Sequence, residues 1–204
     1  MDKLKKILFV NKRLFVFLYG IFIISFIFGC IFPFFLSKSD MNSVSGYLHN
    51  FVSNIGNSNC FNLFYNGFLC NCGFLFLIFL LGISVIGCIV VLFLYFFKGF
   101  ILGFSVSSIV FNFGFKGILL SFVYLFPHQI INFLFYTFMT CYSLGFSIKF
   151  LGYLVKKYDF NLRLCFRNCF RVFIICFIVL LLSVVYESFL WPFIFRFVCN
   201  FLHL

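Results

Sequence analysis

Acidic residues are nearly missing. Asp2, Asp40, Asp159 and Glu187 are the only carboxylate side chains in 204 residues, and three histidines complete the supply of ordinary acid–base groups. There is no HExxH, no GxSxG, no P-loop and no paired carboxylate, so hydrolytic and nucleotide-dependent constellations lack their parts. Charge as a whole is scarce, at 9% of residues. A soluble domain needs more polar surface than that to face water. Apolar side chains stand in its place: 65% of the chain is hydrophobic, 41 residues are Phe, and the mean hydropathy is +1.20. The natural solvent of such a chain is lipid.

The few charges are strongly biased in sign, giving a net charge of +11. Twelve of the 15 basic residues fall in segments that can share one side of a membrane: Lys3, Lys5, Lys6, Lys12, Arg13, Lys98, Lys149, Lys156, Lys157, Arg163, Arg167 and Arg171. Lys38, Lys116 and Arg196 do not. Short loops rich in Lys and Arg stay cytoplasmic, so this asymmetry sets an orientation. Because the basic residues flank apolar spans, the charge reads as attraction to anionic lipid and not to nucleic acid.

Ten cysteines raise metal and disulfide readings. Cys30, Cys88, Cys141, Cys176 and Cys199 lie in or beside apolar runs, where Cys acts as a small hydrophobe. The pairs Cys70/Cys72 and Cys165/Cys169 do not belong to a four-ligand zinc pattern. Cys60, Cys70 and Cys72 fall on the expected outer side, where a disulfide stays open. No cofactor is called for.

A spanning helix needs about 20 apolar residues. Five candidates give an all-α, polytopic membrane helix bundle forming one integral domain over residues 1–204, with the N-terminus in and the C-terminus out. The first span covers 14–36; its length and the lack of a small-residue cleavage site favour a retained anchor over a removed signal. Ile27-Phe28-Gly29-Cys30 is a poor lipoprotein box, because Phe28 is bulky and the apolar run continues. Residues 37–72 form the sizeable polar, extracytoplasmic loop. Val44, Tyr47, Leu48, Phe51 and Ile55, then Phe61, Phe64, Phe68 and Leu69, recur there at helical spacing and predict two short amphipathic helices. These lie on the membrane surface or dock a partner.

The second span is expected at 73–97, returning inward at Lys98. Gly99 and Gly103 form a small-xxx-small pair that permits close helix approach. Asn112, Gly114, Lys116 and Gly117 interrupt the next apolar run, and Pro127 ends it. A fourth span is expected at 129–148. With Lys98 and Lys149 on one side, an even number of crossings separates them, met by two broken helices or by a re-entrant hairpin. Residues 149–171 form a basic cytoplasmic element, whose Arg163, Arg167 and Arg171 make one helical stripe suited to lipid headgroups. The last span is expected at 172–194.

Glu187, Lys116 and His128 are the ionisable groups expected at membrane depth. A charge there costs about 2.5–3.5 kcal/mol on insertion scales, so Glu187 needs a partner, a proton or water. Lys116 and Arg196 are the expected partners. A packing ion pair is favoured over transport, which usually needs several such groups. A small transporter or permease subunit using Glu187, Lys116 and His128 along broken helices remains the rival reading.

Residues 81–136 carry a more specific signal. Lys98-Gly99-Phe100 with Gly103, then Gly114-Phe115-Lys116-Gly117, then Phe126-Pro127-His128-Gln129 resemble the stage II sporulation protein M family. Tyr186-Glu187-Ser188 with Pro192 is similar to the end of the family pattern. Phe115 stands where Trp is common and Phe126 where Leu is common, and both keep the apolar character. The resemblance implies a non-enzymatic membrane scaffold of the sporulation engulfment complex. It implies as partners the peptidoglycan hydrolases called stage II sporulation proteins D and P, held at the septal membrane. Self-association of the chain is left open.

Overall fold

The computed structural model describes residues 12–54, 60–84, 87–125, 128–154 and 162–202. Among them the regular elements are all helical. Helix α1 is Lys12–Ile31, followed by a 3-10 turn at Phe32–Phe35. Then come α2 (Lys38–Asn54), α3 (Cys60–Ile83), α4 (Gly87–Leu125), α5 (His128–Leu154), α6 (Leu162–Phe189) and α7 (Trp191–Leu202). Five helical segments are long and apolar enough to cross a membrane: Lys12–Phe35, Cys60–Ile83, Gly87–Val123, His128–Leu154 and Arg163–Phe189.

The count of five matches the expectation, but the register of the second span does not. The chain does not wait until residue 73 to form it. Residues 61–69, expected as a separate short helix, are the first part of α3. The chain turns back near Ser84, where the Ser84 N–H donates to the Leu81 carbonyl. Lys98 therefore lies well inside α4 and is not an inner flank. The last span also starts earlier than expected: the Arg163, Arg167 and Arg171 stripe forms the exposed first turns of α6 itself. Lys3, Lys5, Lys6, Lys156 and Lys157 lie outside the described residues.

Side-chain contacts fix how the helices run. Phe15 meets Phe138 and Phe22 stacks on Phe133, so α1 and α5 are antiparallel. Ser143 Oγ donates to the Ile78 carbonyl and Ser147 Oγ to the Ser84 carbonyl, so α3 and α5 run parallel. Phe79 against Phe170 and Asn71 against Glu187 set α6 antiparallel to α3. Helix α5 is the most enclosed span, packed by α1, α3, α4 and α6. Cys72, Leu75, Ile78, Tyr136, Met139, Cys169 and Leu180 form its largest apolar contact region. Phe28, Phe34, Phe93 and Phe122 point outward, as expected of helices whose outer faces meet acyl chains.

The most extensive helix pair is α1 with α4, and it runs parallel. Lipid is as apolar as a side chain, so helix association in a bilayer relies on close packing. Gly29 lies directly against the Phe100 carbonyl, and Gly103 against the Phe26 carbonyl. Any side chain at these two positions would collide with backbone. Gly99 faces Ser25 and Phe22 in the same seam. The small-residue reading of Gly99 and Gly103 thus holds, and Gly29 completes the pattern from the facing helix.

Helix α4 breaks where the sequence says it should. Gly114 has φ 57° and ψ −133°. These are the angles of the first central position of a type II′ turn, open essentially to glycine alone. Gly117 lies against the Ile109 carbonyl and the Val110 Cα. In a straight helix, eight residues would separate Ile109 from Gly117 by about 12 Å. Residues 115–125 therefore fold back on the end of the first segment. Leu120 packs on Ile109, together with Trp191 and Phe195 of α7. Residues 87–113 alone reach about 40 Å, enough to cross a hydrocarbon core about 30 Å thick.

Two elements cap the bundle at this end. Helix α2 starts at Ser37, whose Oγ accepts the Asp40 N–H at 3.2 Å and donates to the Asp40 carboxylate at 2.7 Å. It leans on α4 through Leu48 and through His49 against the Phe113 ring. Tyr47, expected on the apolar face, is exposed. Pro192 sits in the first turn of α7, where a missing N–H costs nothing.

Candidate functional site

Polar side chains gather in the interior where α3, α4, α5 and α6 meet. Helix α5 places His128, Asn132 and Tyr136 four residues apart, one above another on its buried face. Helix α3 brings Asn71, α4 brings Lys98 and α6 brings Glu187.

Asn71 is the hub. Its Nδ2 donates to Glu187 Oε2 at 3.2 Å, and its Oδ1 accepts from the Tyr136 hydroxyl at 2.9 Å. The Tyr136 hydroxyl also reaches the Asn71 backbone carbonyl at 3.2 Å. His128 Nε2 lies 4.0 Å from Glu187 Oε1. That is too long for a hydrogen bond but within ion-pair range if the ring is protonated. The His128 side chain is 1% exposed and that of Glu187 is 30% exposed. Lys98 attracts Glu187 electrostatically, and its Nζ lies over the rings of Phe74 (5.2 Å) and Tyr136 (5.5 Å). Cation–π contact with two rings stabilises an ammonium that cannot be fully hydrated. Asn132, one turn from both His128 and Tyr136, is fully buried, and no group among the described residues hydrogen-bonds its amide.

This arrangement compensates charge internally. Four helices contribute: α3 through Asn71, α4 through Lys98, α5 through His128, Asn132 and Tyr136, and α6 through Glu187. Among the described residues, no group of three or more His, Cys, Asp or Glu is arranged to hold a metal ion. Cys60, Cys70 and Cys72 are free thiols, with Cys72 in the core beside Cys169 and Cys176.

The expected site residues scatter around this cluster. Glu187 and His128 are in it. Lys116 is exposed beyond the Gly114 reversal, and Arg196 is exposed on α7. The groups that the structure brings to Glu187 are instead Asn71, His128 and Lys98. Gln129 is half-buried next to His128. Pro127 lies outside the described residues. Gly99, Gly103, Gly114 and Gly117 shape the backbone, and Pro192 starts α7 beside Trp191, whose ring stands edge-on to His128 at 6.0 Å. Sequence reading missed Asn71, Lys98, Asn132 and Tyr136. The four-residue spacing of 128, 132 and 136 was the available signal. Asn71 was hidden because the loop was expected to extend through it.

The fold and this site define a multi-pass, all-helical membrane protein with a buried polar cluster between four of its helices. The chain belongs to the stage II sporulation protein M family, whose profile matches residues 15–192. It is thus a sporulation-related membrane protein, from a family that is not a known enzyme family. No curated protein and no solved structure matches it.

Proposed function

We propose that this protein is a non-enzymatic membrane anchor of the engulfment machinery, holding peptidoglycan-degrading partners at the sporulation septum. Family membership over nearly the whole chain is the observation that carries this reading. The partners meant are stage II sporulation proteins D and P. Two features are consistent with it. Asn71, His128 and Lys98 gather around Glu187 in the interior and tie helices to one another. The end of the bundle that carries α2, the Gly114 reversal and α7 offers a structured surface outside the spans.

The orientation belongs to the same proposal. Lys12, Arg13, Lys149, Arg163 and Arg167 are exposed at the opposite end of the bundle. Placing that end in the cytoplasm follows the positive-inside rule and puts α2 and α7 outside. The test is site-specific photocrosslinking from Asn42, Tyr47 and Gln129 during sporulation. Capture of a peptidoglycan hydrolase supports the anchor; its consistent absence from all three positions, with the protein present at normal levels, opposes it.

A second reading, a small transporter or permease subunit, has one observation in its favour: an acid, a histidine, a lysine and an asparagine meet inside the membrane domain. Lys116, the third group of the expected pathway, is exposed beyond the Gly114 reversal. Glu187→Gln separates the two. Lost solute flux at normal abundance supports transport, whereas lowered abundance supports a packing role.

A further inference from the structure

We propose that the cationic end of the bundle holds a specific site for an anionic phospholipid, in a groove between the ends of α3 and α5 and the start of α6. The groove has a volume of about 340 Å³ and is lined by Ile83, Phe146, Phe150, Phe166 and Arg163. That places it within the roughly 300–1,000 Å³ range of small-ligand sites. Four of the five lining side chains are hydrocarbon or ring, and they offer nothing to a polar solute. An acyl chain fits such a lining without desolvation cost.

Arg163 sets the class of headgroup. Among the described residues it is the single charged one in the lining, and it stands in the first turn of α6. A guanidinium donates in a planar fork that suits phosphate oxygens. Arg167, one turn further along the same face, is exposed, and so is Lys149 in the last turns of α5. No acidic residue lies in the described parts of α3, α5 or the first turns of α6. A headgroup with net negative charge is therefore matched, and a zwitterionic one gains less. Leu151 and Leu154, in the same last turns of α5 as Phe150, are exposed apolar side chains.

The walls are built, not incidental. Ser147 Oγ ties α5 to the Ser84 carbonyl at 3.2 Å, fixing the end of α3. Phe146 and Phe150 stack at 6.1 Å, and Phe166 meets Phe79 at 6.2 Å. This site is separate from the Glu187 cluster and does not depend on which partner the other end binds.

The test is native mass spectrometry of the full-length protein in detergent, titrated with phosphatidylglycerol, with phosphatidylcholine of the same chains, and with glycerol phosphate alone. Three proteins are compared: wild type, Arg163→Gln and Arg171→Gln. Arg171 lies on the same helical stripe but does not line the groove. The expected result is tighter binding of phosphatidylglycerol than of phosphatidylcholine by wild type. Arg163→Gln should weaken it about tenfold, the scale of losing a charge-assisted hydrogen bond, while Arg171→Gln leaves it within about twofold. Equal binding of the two lipids, or equal loss in both variants, overturns the proposal in favour of diffuse surface attraction. Binding of glycerol phosphate as tight as that of the lipid overturns the role of the groove.

Discussion

Glu187 on α6 accepts a hydrogen bond from Asn71 on α3 at 3.2 Å, joining two residues 116 positions apart in the chain. The bond explains how a lone acid is tolerated at depth. Asn71 is in turn held by Tyr136, and Lys98 balances the charge.

Removing the acid should therefore cost stability. Glu187→Leu leaves Asn71 short of an acceptor and Lys98 short of a counter-charge, an expected loss of about 1–3 kcal/mol. Glu187→Gln keeps an acceptor and should lose less. A Lys98→Met, Glu187→Gln double variant should be more stable than the two single losses added together predict, because the charges are removed as a pair. Thermal unfolding followed by the fluorescence of the single tryptophan, Trp191, which adjoins His128, checks all three.

Asn132→Leu separates packing from transport. Its amide is buried and no group among the described residues hydrogen-bonds it, so an apolar side chain of similar size should leave stability unchanged or raise it by about 1 kcal/mol. With an anchor, engulfment proceeds normally in this variant. Impaired cells with a stable, abundant protein would show that the amide is kept for a ligand.

The α1–α4 seam should be the least forgiving interface. Gly29→Val and Gly103→Val force a side chain into the facing backbone and should destabilise by about 1–3 kcal/mol or displace α1 altogether. Gly20→Val on the same helix meets nothing within 4 Å and should be silent. Protease protection of detergent-solubilised protein distinguishes the two outcomes.

Gly114 should tolerate no side chain, though the space around it is open. Its positive φ with ψ near −133° costs other residues about 1–3 kcal/mol. Asn, which suits the ordinary left-handed region, should be nearly as poor as Ala here. A lowered unfolding midpoint for both variants is the expected result.

Much of this fold was legible because the bilayer imposes its own rules. Apolar runs of spanning length gave five helices, and Gly99, Gly103 and Gly114 marked a close seam and a break. The second span was misplaced because Asn57, Asn59, Asn62, Asn66 and Asn71 make residues 57–72 look like a loop. At Asn71 the polarity is answered by Tyr136 and Glu187, which no local pattern reveals. Lys98 misled in the same way: it reads as a flank until two aromatic rings and a distant acid are seen around it. Arg163 was legible as a lipid-facing charge, but the groove beside it depends on three helix ends meeting.

Imaging of engulfment tests the central claim most directly. The gene would be deleted in its own host, cells starved into sporulation, and septal membranes followed with a membrane dye, with and without a plasmid copy. An anchor of peptidoglycan hydrolases predicts arrest with flat or bulging septa, restored by the wild-type copy. Normal engulfment in the deletion strain would contradict it.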